Sequence, residues 1–304
     1  MIPIAATIAA ATVAGVATER RLGERADSLA QRLAQAILWI LLPPIAFFNI
    51  AALELTAEVG AGIAFGYAAI LTPLGLAYVV GRHLLRLPRP AVGALMLVAA
   101  FGNTGYLGLP FSAALFGFDE LPRAVAYDLL VSTLALITVG FSVGAGFGTL
   151  GDGAEPPSPL QRVSAFFKRN PALWACAAGF LAPAALAPGW AVDASQAVVF
   201  GILPIGFFVV GLTLAGAGPG LLPLRRPVGW ALGLKLAVAP AVVLGLAALI
   251  HEVPDSYPVQ AAMASAINSI VVAGEYGLDR GLVAAAIAWS TTVVVAAGLI
   301  VALV

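Results

Sequence analysis

The sequence predicts an all-α integral membrane protein of ten transmembrane helices in two inverted five-helix repeats, with helices four and nine broken at a crossover. Three observations predict it: apolar runs of membrane-spanning length, basic residues gathered in alternate connections, and strings that recur between the two halves. The composition agrees. Of 304 residues, 61% are hydrophobic and 10% charged, and the mean hydropathy is +1.01, far from a soluble domain. Net formal charge is zero, so no basic field points to nucleic acid. The lone Cys176 sits in an apolar stretch and leaves the redox compartment open.

In chain order, the runs able to cross a core of ~30 Å are about 2–18, 34–53, 60–81, 91–117, 124–148, 171–188, 196–216, 228–250, 258–278 and 281–303. The first has its arginines after it, at Arg20, Arg21 and Arg25, the reverse of a cleavable signal. The connection 151–170 is the long polar one; its PPSP string excludes a helix there and it ends in FFKR. This divides the chain into a first repeat over 1–150, a cytoplasmic linker over 151–170 and a second repeat over 171–304.

Basic residues should collect in cytoplasmic connections. Of the 15 Lys and Arg, all but Arg123 and Lys235 fall in the connections after runs one, three, five, seven and nine. A missed run would scramble that alternation, so both termini are expected outside. The repeat shows in PIAFF (Pro44–Phe48) against PIGFF (Pro204–Phe208), and in STLALITVG (Ser132–Gly140) against STTVVVAAG (Ser290–Gly298). Five runs is an odd number, so the second copy enters the membrane upside down. That is the plan of secondary transporters, whose broken helices meet at the midplane.

Run four carries the string around which the rest is arranged, FGNTGYLGLP, Phe101–Pro110. Gly102, Gly105 and Gly108 relax the backbone, and Pro110 removes a donor and clashes with the preceding turn, so the helix cannot stay regular. In hydrocarbon a broken backbone is tolerated where it lines a protein cavity. Asn103 and Thr104 place polar side chains near mid-depth, where they mark a substrate or ion site rather than mere packing. In run nine, Asn268 is the expected counterpart of Asn103.

Lys235 lies inside run eight, either snorkelling to the cytoplasmic boundary or serving as counter-charge to an anion. Asp128 and Glu275 read as solvated residues near the ends of their runs. With no carboxylate at mid-depth, a proton relay is disfavoured, while sodium held by unwound carbonyls and Ser or Thr hydroxyls stays open. The glycines of GFSVGAGFG, Gly140–Gly148, read as a helix-packing face. An enzyme is not expected: His83 and His251 fall on opposite faces, and neither HExxH nor GxSxG occurs.

NTGYLGLPF resembles the signature of the auxin efflux carrier family, the bacterial branch related to plant PIN-type carriers. LLPPIAFFNIAAL (Leu41–Leu53), PIGFFVVGLTLA, Lys235 with Pro240, and AINSIVVAGEYGLD followed by WSTT extend the resemblance over most of the chain. It implies a homodimer in the lipid bilayer, moving a small organic anion by an elevator-like motion. Helices 1, 2, 6 and 7 would form a scaffold, and helices 3–5 and 8–10 a transport part. The crossover asparagines would be Asn103 and Asn268. The wider candidate binding set is Thr104, Gly105, Gly108, Pro110, Ser265, Ser269, Asn49 and Lys235. No cofactor is expected, and coupling to Na+ or H+ is left open. Family members often carry a proline after the run-nine methionine. Here Met263 precedes Ala264, so the second break rests on Ser265, Asn268 and Ser269 and a smaller distortion is expected. The rivals are a sodium-coupled bile-acid type of symporter and a ligand-binding membrane sensor. Abundant Ala and a preference for Arg over Lys suggest a GC-rich bacterial source, and the expected location is its cytoplasmic membrane.

Overall fold

The computed structural model describes residues 2–23, 25–149, 171–216 and 224–303; the predicted linker 151–170 lies outside them. Among the described residues the chain is almost entirely helical, with one isolated bridge and no strand. The helices are α1 (Ile2–Leu22), α2 (residues 25–51), α3 (Ala57–Leu84), α4 (Arg89–Ala100), α5 (residues 104–116) and α6 (Phe118–Phe147). They continue with α7 (Pro171–Leu181), α8 (Gly189–Gly216), α9 (Arg226–Leu249), α10 (Ser256–Ala261), α11 (Asn268–Tyr276) and α12 (Arg280–Leu303). Among the described residues six stretches, in α2, α3, α6, α8, α9 and α12, are long and apolar enough to cross a membrane.

Four boundaries differ by six residues or more from the sequence expectation. Helix α2 begins at Arg25 rather than 34. Helix α6 begins at Phe118 rather than 124, because Pro122 sits in its first turn, where a missing N–H is harmless. Helix α7 stops at Leu181 rather than 188, two residues before Pro183, and α8 then starts at Gly189 rather than 196.

Wide, π-type turns precede prolines at three places: Ile37–Leu41 before Pro43 and Pro44, Thr104–Gly108 before Pro110, and Leu234–Val238 before Pro240. A proline ring collides with the carbonyl four residues back and offers no N–H to it. Widening the turn moves that carbonyl aside, so the helix bends without ending. Two further wide turns, Tyr127–Thr133 and Leu136–Gly140, lie inside α6.

Helix α4 forms the centre. Every residue from Ala91 to Ala100 is buried, as an all-round apolar helix requires. Side chains from α3, α6, α9, α11 and α12 pack around it. A second group of helices packs by backbone contact: α1 lies along α8 and α7 along α2. A Cβ on Gly15 would stand 2.2 Å from the Phe208 carbonyl oxygen, and one on Gly179 would stand 2.6 Å from that of Phe47. Small residues at these crossings supply the close approach that holds helices together in lipid. Gly144 likewise seats α6 against Tyr276 of α11, in keeping with the packing role expected of that glycine face.

Glu120 ties the start of α6 to that of α10. It accepts from Ser256 N at 3.2 Å and Ser256 Oγ at 2.9 Å, and from Arg123 Nη1 at 2.6 Å. Large apolar side chains such as Trp39, Ile40, Trp190, Leu181 and Leu249 point outward, which suits hydrocarbon rather than water.

Candidate functional site

The site is built where two interrupted helices cross. Helix α4 ends at Ala100 and α5 resumes at Thr104; α10 ends at Ala261 and α11 resumes at Asn268. The residues between lie antiparallel, with Gly102 paired to Ser265. Asn103 N donates to the Ala264 carbonyl at 2.7 Å, and Ala266 N donates to that of Phe101 at 2.9 Å. Each break thereby supplies the hydrogen-bond partners that the other lost, which a membrane interior demands. Hydroxyls complete the set: Ser265 Oγ donates to the Val98 carbonyl at 2.7 Å, and Ser290 Oγ accepts from Ser265 N at 3.0 Å.

The absent proline after Met263 does not make the second break smaller. It runs over residues 262–267, against 101–103 for the first. Pairing with Gly102 needs extended backbone around Ser265, and the two serine hydroxyls hold it open without a proline. Asn268 and Ser269 lie beyond the break, in the first turn of α11.

A cavity of about 110 Å³ opens beside the crossover, lined by residues 101–106, residues 266–268, Leu38 and Leu42 of α2, and the α6 face from Asp128 to Ile137. It brings together Asn103, Thr104, Gly105 and Asn268 of the predicted set. Asn103 caps α5: its Oδ1 accepts from Tyr106 N at 3.2 Å. Its buried Nδ2 has no partner among the described residues, so a donor stands beside the cavity. Both α5 and α11 begin here, so two helix N-termini approach the same space; in their first turns Tyr106 N is bonded to Asn103 Oδ1, Ser269 N to the Ala266 carbonyl and Ile270 N to that of Ile267.

Asp128 corrects the sequence reading. It is buried, only 8% exposed, and lines the cavity. Thr104 Oγ1 donates to its Oδ1 at 2.5 Å, and both carboxylate oxygens sit over Gly105. Because α6 begins at Phe118, Asp128 is about ten residues into the helix, ~15 Å along its axis at 1.5 Å per residue. Starting the run at 124 had placed Asp128 near its outer end. Tyr106, Ser132 and Thr133 also line the cavity and were missed; Ser132 and Thr133 head the repeated STLALITVG string. Glu275 is exposed, as expected.

Lys235 lies on another side of the crossover. It is 2% exposed, and its Nζ donates to the Ala261 carbonyl at 2.6 Å, at the C-terminus of α10. A Cβ on Gly102 would be 3.1 Å from that nitrogen. The ammonium is thus folded in against helix-terminal carbonyls rather than snorkelled out. Gly108 admits Gln260: a Cβ there would fall 2.0 Å from Gln260 Oε1.

The remaining predicted residues serve the framework. Asn49 is away from the cavity, donating through Nδ2 to the Ile45 carbonyl and Ser195 Oγ while its Oδ1 accepts from Gln196 Nε2, which ties α2 to α8. Pro110 stands just inside the α-helical part of α5. Ser265 holds the second break, and the Ser269 hydroxyl is buried without a partner among the described residues. No group of three or more His, Cys, Asp or Glu gathers as a metal site among the described residues.

No family model matches the chain. It is similar to an uncharacterized transporter of Methanocaldococcus jannaschii, 27% identical over 235 residues that make up 71% of this chain and 70% of that protein. It is also similar to an uncharacterized transporter of Methanothermobacter thermautotrophicus, 30% identical over 212 residues, 65% of this chain and 63% of that protein. Together with the long apolar helices, these relatives support a transport role for a multi-pass membrane protein.

Proposed function

We propose that the chain is a secondary carrier that moves a small organic anion, a carboxylate, across the cytoplasmic membrane by alternating access, with its site at the crossover. In this reading it belongs with the auxin efflux carriers that NTGYLGLPF resembles. Ten crossings form two inverted repeats, and a scaffold of the first, second, sixth and seventh supports a mobile remainder in each half of a homodimer. The observation that carries the reading is the antiparallel pairing of Gly102 with Ser265. Two helices far apart in the chain are broken at one point, and a cavity opens beside that point. Such breaks are costly in lipid and are kept where half-helix termini face a substrate.

Asn103 Nδ2 and the N-termini of α5 and α11 are the groups that receive the carboxylate. The small cavity favours a ligand of few heavy atoms over a steroid acid. A thermal-shift panel of mono- and dicarboxylates on the purified protein, repeated with Asn103→Ala, tests this. A ligand at a hundred times its Kd stabilises the native state by about 2.7 kcal/mol. At least one carboxylate should raise the melting point of the wild type and leave that of the variant unmoved. Equal shifts in both proteins, or none with any carboxylate, would refute the reading.

A further inference from the structure

A carboxylate lies inside the cavity assigned to an anion, and its surroundings say what must accompany the substrate. Asp128 Oδ1 takes the Thr104 hydroxyl. Oδ2 sits over Gly105, and the carboxylate's hydrogen bond is the one from Thr104. Among the described residues no Lys, Arg or His lines the cavity, and Tyr106 is the one other titratable side chain that does. On the helices packed around it, Tyr67 of α3 donates to the Leu130 carbonyl, and Tyr257 of α10 meets Tyr127 edge to face. Cys176 of α7 is buried, and Lys235 of α9 is bonded to Ala261. On its own helix, Glu120 and Arg123 pair with each other. Asp128 forms no ion pair among the described residues.

The α5 N-terminus and one hydroxyl offset part of a buried negative charge. They do not offset a second one, and a carboxylate substrate entering this cavity brings it. Among the described residues the cavity is otherwise neutral, with Ser132 and Thr133 as its further hydroxyls on α6. It offers one carboxylate and no cluster of acidic ligands, an arrangement that suits a proton, which needs no coordination shell. We propose that Asp128 is a proton-binding site that couples transport. The anion occupies the cavity when Asp128 is protonated, and the two cross together. The proton bonds to Oδ2 from water on one side and leaves to water on the other; no bond of the substrate breaks. The proposal rests on the carrier reading above.

Infrared difference spectra of the protein in lipid nanodiscs, titrated from neutral to acidic pH in choline chloride, test it without any substrate. The wild type should show the C=O stretch of a protonated carboxyl group that Asp128→Asn lacks and Asp128→Glu restores. Identical spectra for wild type and Asp128→Asn would overturn the proposal. So would loss of the band at constant pH when sodium replaces choline, which would assign the site to sodium. In the carboxylate panel, stabilisation should fall as pH rises in the wild type and stay flat with pH in Asp128→Asn; parallel pH profiles would contradict the coupling. An Asp128 band with no carboxylate-induced shift at any pH would sink the carrier reading alone and leave proton binding standing.

Discussion

Gly102 and Ser265 pair backbone to backbone, antiparallel, at the point where two interrupted helices cross. The pairing makes each break the other's hydrogen-bonding partner, so neither can be repaired or enlarged alone. Its consequences can be separated by substitutions that remove one bond at a time.

Asn103 does two jobs that different replacements should divide. Its Oδ1 caps α5 and its Nδ2 is unpaired beside the cavity. Asn103→Ser keeps an N-cap acceptor and removes the amide, so the melting point should stay near wild type while carboxylate stabilisation is lost. Asn103→Ala should lose both, with a further destabilisation of about 1 kcal/mol. Ligand stabilisation that survives in Asn103→Ser would place the substrate elsewhere.

Ser290 lies outside the cavity and should act on stability alone. Its hydroxyl oxygen accepts from Ser265 N inside the second break. Ser290→Ala leaves that buried N–H without a partner, a loss of roughly 1–3 kcal/mol. Thermal unfolding in lipid should show the drop, with carboxylate binding retained by the protein that remains folded. An unchanged midpoint would mean that the break does not need this hydroxyl.

Lys235 is bound to the α10 terminus and does not line the cavity. Lys235→Gln keeps a donor within reach of the Ala261 carbonyl and removes the charge. Carboxylates should therefore still stabilise the variant in the thermal-shift panel. Loss of the shift in a folded protein would return Lys235 to the role of counter-charge.

Much of this arrangement was legible in the chain. Gly102, Asn103 and Pro110 announce a break by their own backbone chemistry, and the recurring strings point to a partner in the other half. What the sequence concealed came from three-dimensional pairing. Pro122 and Arg123 imitate a helix boundary, but a proline in a first turn and an arginine paired with Glu120 are compatible with helix, and the disguise moved Asp128 to the end of its run. The length of the second break was hidden for a similar reason. It is set by register against Gly102 and by the Ser265 and Ser290 hydroxyls, none of which a missing proline reports. Asn49 looked like a polar residue awaiting a ligand, yet its amide is consumed by Ile45, Ser195 and Gln196.

The central claim, that the crossover cavity faces each side of the membrane in turn, is tested most directly by thiol labelling. Ser132 lines the cavity and Cys176 is the lone cysteine, so Ser132→Cys on a Cys176→Ala background gives a single reporter. Proteoliposomes of known orientation are exposed to a membrane-impermeant thiol reagent from one side or the other. Modification is expected from both sides, slowed by a carboxylate that stabilises the protein. Modification from one side alone, at every ligand concentration, would contradict it.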